Sequence, residues 1–381
     1  MRNPTWRRTR RMGVVSALVS VCCLFSAVPA DAVDADVSGM PASRYPIALP
    51  YVDVAHARII DGARRVSIAG LQGTVTQLWK VDGGYVLGRK TPRGTRSSGR
   101  TGAYDLVYVT SAGTRRVITN YWRGPTPGPE DTGYRAREIA RPAMVVARSG
   151  SEIVFNIQAW SQYIETRVYS LATGTTTARR GFGAAPQLLG FADGEVLFSL
   201  GQAGVRSWDA QSDTVTTVLD DPDENVDVSA EAADLTAGHI AVRYDGYRVR
   251  GIPPATVPDW PVSQDDAAEV CNNTQCGWLV GPWSPDDTKT MSTGVVSGDG
   301  LYTARHVVHR ASDGHALLNV GLRSSVTSVW ETNATLLFVK HARAAGSPYQ
   351  VVRCTVAGHC ATVGRAGATR APYVLATRRN S

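Results

Sequence analysis

Apolar and polar positions recur along this chain in one repeated plan. Six segments align without gaps: WKVDGGYVLGRK from Trp79, VARSGSEIVFNI from Val146, LGFADGEVLFSL from Leu189, DLTAGHIAVRYD from Asp234, PWSPDDTKTMST from Pro282 and VWETNATLLFVK from Val329. In each, a short leading strand meets a turn of Gly, Asp, Asn, Pro or Ser, and a second strand follows, usually rich in Val, Leu, Ile, Tyr and Phe. Downstream comes a hairpin of half-exposed alternation, as in VYVTSAGTRRVI from Val107, RVYSLATGTTTARR from Arg167, RSWDAQSDTVTTVL from Arg206, HVVHRASDGHALLNV from His306 and YQVVRCTVAGHCATV from Tyr349. The fourth unit, around Tyr247 to Val262, fits worst because its hairpin is full of prolines. Two strands plus two make a four-stranded unit of about 45 residues, the size of one propeller blade.

The segment starts lie 67, 43, 45, 48 and 47 residues apart. The long first interval holds two polar, turn-rich stretches, Thr91 to Gly102 and Tyr121 to Gly133, which read as loops inserted into the first complete unit. The ends complete the count. Ala55 to Ile68 reads as an outer hairpin with no leading strands before it, and YVLAT from Tyr373 resembles the YVLGR of Tyr85 with no hairpin after it. Joined, they form a composite closing blade that removes open sheet edges. The expected fold is therefore all-β, a seven-bladed β-propeller; frayed ends around six blades are the alternative.

The turn Trp283-Ser284-Pro285-Asp286-Asp287 resembles the W-S-P-D-G turn of TolB-type and WD-repeat-like β-propellers, with Asp287 in place of the usual Gly. Asp82-Gly83, Ser149-Gly150 and Asp193-Gly194 are more degenerate copies. The resemblance implies a propeller that binds proteins or ligands, and it implies no catalytic set to transfer.

Composition agrees with one sizeable core: 43% of residues are hydrophobic, while 37 Gly and 20 Pro disfavour long helices. Five arginines, the apolar run Gly13 to Val28 and Ala30-Asp31-Ala32 form the three zones of a secretory signal peptide, with cleavage expected after Ala32. An uncleaved anchor is the alternative, though three serines and Pro29 make the apolar run a poor span. Residues 1–32 carry five arginines and one acid, so the formal charge of +7 becomes +3 without them, and nucleic-acid binding loses its main argument. The expected organisation is a leader over 1–32, a linker over 33–50 and one propeller domain over 51–381, secreted or held in the cell envelope as a monomer. Four cysteines remain, Cys271, Cys276, Cys354 and Cys360, and an exported chain favours two disulfides in the local pairs.

Local catalytic signatures are missing: there is no G-x-S-x-G, G-x-G-x-x-G, Walker loop or H-E-x-x-H. His306, His309 and His315 read as packing or surface residues, since strand positions 306 and 309 point to opposite faces. The acidic run Asp220, Asp221, Asp223, Glu224 and Asp227 lacks the spacing of a calcium loop and reads as a solvated connection. No metal and no cofactor is expected. The first insertion is basic, with Lys90, Arg93, Arg96 and Arg100; the second carries Trp122, Arg123 and Tyr134 around a proline-rich GPTPGPED. Aromatics and arginine dominate binding hot spots and stack on sugars or peptides, so Trp122, Arg123 and Tyr134 are the candidate binding residues. The expected function is a non-catalytic module that binds protein or envelope glycan along one rim. The alternative is an enzyme, a polysaccharide lyase or hydrolase, with at least two acids, or an acid and a histidine, at the channel mouth. Asp82, Asp193, Asp286 and Asp287 occupy equivalent turns, where turn formation accounts for them.

Overall fold

Residues 32–90 except 36 and 38, 104–121, 144–158 except 148, 164–182, 186–199, 204–219, 229–234, 239–243, 247–251, 260–262, 278–298 except 287, 301–323, 325–341, 349–363 and 373–377 are described by a computed structural model. Six runs of four consecutive strands, each antiparallel to the next, cover 74–121, 144–182, 187–219, 229–262, 278–323 and 325–363. We number them blades 2 to 7. Blade 1 is composite: its hydrogen-bonded order is Arg64–Ser67, Arg58–Asp61, Tyr51–Asp53 and finally Val374–Thr377 from the far end of the chain. The molecule is a seven-bladed β-propeller closed by its two ends.

Two details of the closure differ from the sequence expectation. The outer hairpin of blade 1 does have a leading strand, Tyr51–Asp53, which pairs Tyr51 with Leu375 and Val52 with Val374. Only three residues long, it offers too short an alternation to stand out in the sequence. The C-terminal strand, for its part, takes the innermost position rather than the second-strand position that YVLGR holds in blade 2. It runs parallel to Thr74–Val81, with Ala376 opposite Leu78, a pairing open only to a strand at the inner edge of its blade.

The first strands of the blades lie innermost, those of blades 3 to 7 and then Val374–Thr377 each contacting the next. Both faces of a blade are therefore covered, and alternate residues serve different neighbours. In Thr335–His341 of blade 7, Leu336 and Phe338 join the cluster shared with blade 6, whereas Leu337 and Val339 join the one shared with blade 1. This explains the unbroken apolar run LLFV. Inner turns carry the left-handed residues the hairpins need: Asp193 and Gly194, at φ 50° and 85°, form a two-residue turn between the paired Ala192 and Glu195. In the poorly fitting blade 5, Pro261 lies on the outermost strand, where an edge tolerates the missing N–H.

Polar latches join neighbouring blades. Arg115 of blade 2 donates to the Ala69 carbonyl at 2.7 Å on one side, and Arg116 to the Leu171 carbonyl at 2.7 Å on the other, its guanidinium lying over Tyr108 and Tyr169. Tyr85 of blade 2 donates to Asp61 of blade 1 at 2.8 Å. Burial, then the Asp61 hydrogen bond and charge, push this phenol up to about 12. The folded state thus favours neutral Tyr85. Its contribution is full below pH ~10, the unfolded value, and is lost as pH rises toward about 12. Urea midpoints measured from pH 8 to 12 should fall across that window, and Tyr85→Phe should flatten the fall while lowering stability at pH 8 by roughly 1 kcal/mol.

The stretch 33–50, expected to link leader and propeller, runs along blades 6 and 7. Val33–Asp34 pairs in parallel with the outermost strand of blade 6, Ala316–Arg323, and Ala42 bridges to Thr362 on the outermost strand of blade 7. Val37 and Met40 pack against the core between those blades, and Ile47 and Leu49 are buried between blades 7 and 1. In blade 7, Cys354 and Cys360 face each other across the third and fourth strands with Cα atoms 4.1 Å apart and are joined in a disulfide. Cys271 and Cys276 lie outside the described residues.

Candidate binding rim

Lys90 pairs with Tyr104, and Tyr104 with Tyr121. The end of the second strand, the start of the third and the end of the fourth therefore lie side by side in blade 2. Both insertions leave from this one end of one sheet, whatever paths they take beyond it. The candidate residues Trp122, Arg123 and Tyr134, and the basic Arg93, Arg96 and Arg100, lie outside the described residues, as does the acidic run 220–227.

The same rim continues through blade 1, because Val374–Thr377 runs parallel to Thr74–Val81 and begins at the same end. There the second strand ends at Asp53, opposite Arg58, with a single 3-10 turn, Val54–His56, between them. Asp53 caps that turn by accepting the His56 backbone N–H at 3.3 Å, and its Oδ2 lies 2.8 Å from His56 Nδ1 and 3.0 Å from Arg58 Nη2. Burial pushes the Asp53 carboxyl up, but the hydrogen bonds from His56 and Arg58 outweigh it and hold the group below the usual carboxylate range. Tyr51 and Tyr373 stand beside it with ring centroids 6.1 Å apart. Burial first, and then the Asp53 charge, raises both phenols above their ordinary value. Across the seam, the corresponding end of blade 7 brings His341 opposite Tyr349, rings 4.3 Å apart. Tyr51, Tyr349 and Tyr373 all pack, half-buried, on the apolar cluster between blades 7 and 1.

No motif in the sequence marks this seam. Tyr51 and Tyr373 come together only through closure of the fold, and no local pattern links them. Asp53-x-x-His56-x-Arg58, three ionisable side chains at the start of a hairpin, is the one local signal.

His306, His309 and Asp286 lie in packed or turn surroundings of their own. His306 is buried against Phe338, ring centroids 4.7 Å apart, and burial lowers its imidazole to about 4. His309 Nδ1 lies 3.0 Å from the Gly314 carbonyl, which can only accept, so Nδ1 carries a proton, and Nε2 lies 2.8 Å from Ser292 Oγ. This serine–histidine pair is buried, at 1% and 5% exposure, which closes it to substrate. Asp286 organises its own turn: Ser284 Oγ donates to it at 2.6 Å and the Thr288 N–H at 3.3 Å. Burial pushes its carboxyl up, and these bonds more than reverse the effect. Asp82, Asp193 and Asp286 sit in turns between first and second strands, at the opposite end of the blades from the insertions. Asp287 is outside the described residues. Among the described residues, no three His, Cys, Asp or Glu side chains group as metal ligands, and no helix is long and apolar enough to cross a membrane.

No protein-family model matches the chain, and no similar curated protein was found. Among solved structures, the chain is similar to the β-propeller domain of the Trilobed protease from Pyrococcus furiosus at 10% identity and a TM-score of 0.48, covering 77% of this chain and 86% of that one. A chain of the Mitotic Checkpoint Complex is similar at 13% identity and a TM-score of 0.48, over 89% and 88%. The acylaminoacyl peptidase of Pyrococcus horikoshii is similar at 9% identity and a TM-score of 0.46, over 76% and 46%. The strand order described above is what makes the fold a β-propeller.

Proposed function

We propose that this protein is an exported β-propeller acting as a non-catalytic binding module outside the cytoplasm, with the rim that carries the two insertions as its working surface. The observation that carries this reading is the register Lys90, Tyr104, Tyr121, which starts both insertions from one end of blade 2, the same end at which the seam gathers its tyrosines. Export rests on the three-zone leader and agrees with the Cys354–Cys360 disulfide. Under this reading the inserted Trp122, Arg123 and Tyr134 supply one part of the surface.

One observation favours an enzyme, a polysaccharide lyase or hydrolase: Asp53 and the exposed His56 form an acid–imidazole pair on the rim. The bonds from His56 and Arg58, however, hold the carboxyl below the usual range, which disfavours it as a general acid. Purified protein lacking residues 1–32 should retain envelope glycans or peptides, or co-purify with a partner. Turnover of a polysaccharide without stable retention of any of them would overturn the binding reading.

A further inference from the structure

At the boundary of blades 1 and 2, Asp61 is held by Tyr85 and Lys80. The seam between blades 7 and 1 differs. Tyr51, Tyr349 and Tyr373 bury part of their rings on one apolar cluster, yet their hydroxyls make no hydrogen bond to any described residue. Beside Tyr51 and Tyr373, Asp53 and Arg58 place acceptor and donor atoms together at 3.0 Å, and His56 adds a mostly exposed imidazole, 65% accessible.

Resting on the reading of this rim as a binding surface, we propose that the seam between blades 7 and 1 is a binding site for neutral carbohydrate, with Tyr51, Tyr349 and Tyr373 offering ring faces and hydroxyls and the Asp53–Arg58 pair anchoring adjacent sugar hydroxyls. The chemistry fits on three counts. A pyranose has an apolar C–H face that packs on an aromatic ring, and hydroxyls that both donate and accept. A carboxylate beside a guanidinium supplies one acceptor and several donors in fixed geometry, matching a vicinal diol. The Asp53 charge is matched by Arg58 at 3.0 Å, so the pair calls for no counter-charge from a ligand and suits a neutral sugar. The tyrosines enter with ring orientation already set by the core, which limits the entropy lost on binding.

The test uses protein lacking residues 1–32 on an array of neutral oligosaccharides (gluco-, manno-, galacto- and arabino-series) and uronate oligosaccharides, followed by calorimetry with the best neutral binder. Retention of a neutral series is expected. Tyr51→Phe and Tyr373→Phe, which keep the ring packing, should each weaken binding about 3- to 10-fold, and Asp53→Asn about 10-fold or more, with thermal melts confirming that each variant is folded. Failure to bind any neutral sugar, preference for uronates, or neutral binding untouched by all three variants would overturn the seam proposal. If binding ignores the seam variants but is lost in Trp122→Ala, the seam falls while the rim reading stands. If every sugar fails while peptides or partners are retained, the same is true.

Discussion

A chain ending at Pro372 should fail to reach a stable fold. Removing residues 373–381 takes away the innermost strand of blade 1, in which Val374, Leu375 and Ala376 are buried. Losing the Val and Leu side chains alone forfeits roughly 3–6 kcal/mol of burial. Tyr51–Asp53 and Thr74–Val81 would each lose a hydrogen-bonded neighbour, leaving two inner edges open. Against a total stability of roughly 5–15 kcal/mol, a molten or aggregating product is expected by circular dichroism and gel filtration. A truncated chain that melts cooperatively within a few degrees of the full chain would mean that the C-terminal strand does not close the propeller.

The second large effect is expected at Glu331 and Arg353. Their side chains are 3% and 13% exposed and meet in a bidentate pair at 2.5 and 2.6 Å. The pair is also a clamp on the segment that precedes blade 1. Glu331 accepts the Ala48 N–H at 2.7 Å, while Arg353 donates to the carbonyls of Tyr45 at 3.1 Å and Pro46 at 2.7 Å. Removing one partner strands a buried charge, so Glu331→Ala and Arg353→Ala should each cost roughly 3–5 kcal/mol in urea unfolding. An isolated buried pair can often be replaced by apolar residues at little cost. Here the clamp predicts otherwise: Glu331→Leu with Arg353→Met should remain destabilised, because the carbonyls and amide of 45–48 lose their partners as well. Limited proteolysis of that double variant should cut first within residues 33–50. A double variant as stable as the parent would refute the clamp.

The blade plan was legible because each blade must bury both faces and turn sharply. Runs such as LLFV at Leu336 to Val339 and turns such as Asp193-Gly194 therefore recur in the sequence. The composite blade was legible in outline for the same reason, since an orphan hairpin and an orphan strand need each other. Its strand order was not legible: three residues, Tyr51–Asp53, carry too little alternation to be recognised, and the rank of Val374–Thr377 depends on a parallel neighbour in another blade. Residues 33–50 gave no signal because their partners, Asn319, Glu331, Arg353 and Thr362, lie about 280 or more residues away. The seam was hidden likewise. Tyr51 and Tyr373 have ordinary strand surroundings, and only closure sets them beside Asp53.

Closure is also the claim most directly open to measurement. The Ala376 N–H donates to the Pro50 carbonyl at 2.8 Å, so the next pair, Tyr51 and Leu375, occupies a position exchanging no hydrogen bonds, where Cα atoms lie about 4.5 Å apart and a disulfide fits. Tyr51→Cys with Leu375→Cys, expressed with export and mapped by mass spectrometry under non-reducing conditions, should yield a peptide linking residues 51 and 375 within the monomer. A folded monomer in which these two cysteines stay free, or pair with other cysteines, would contradict a blade shared by the two ends of the chain.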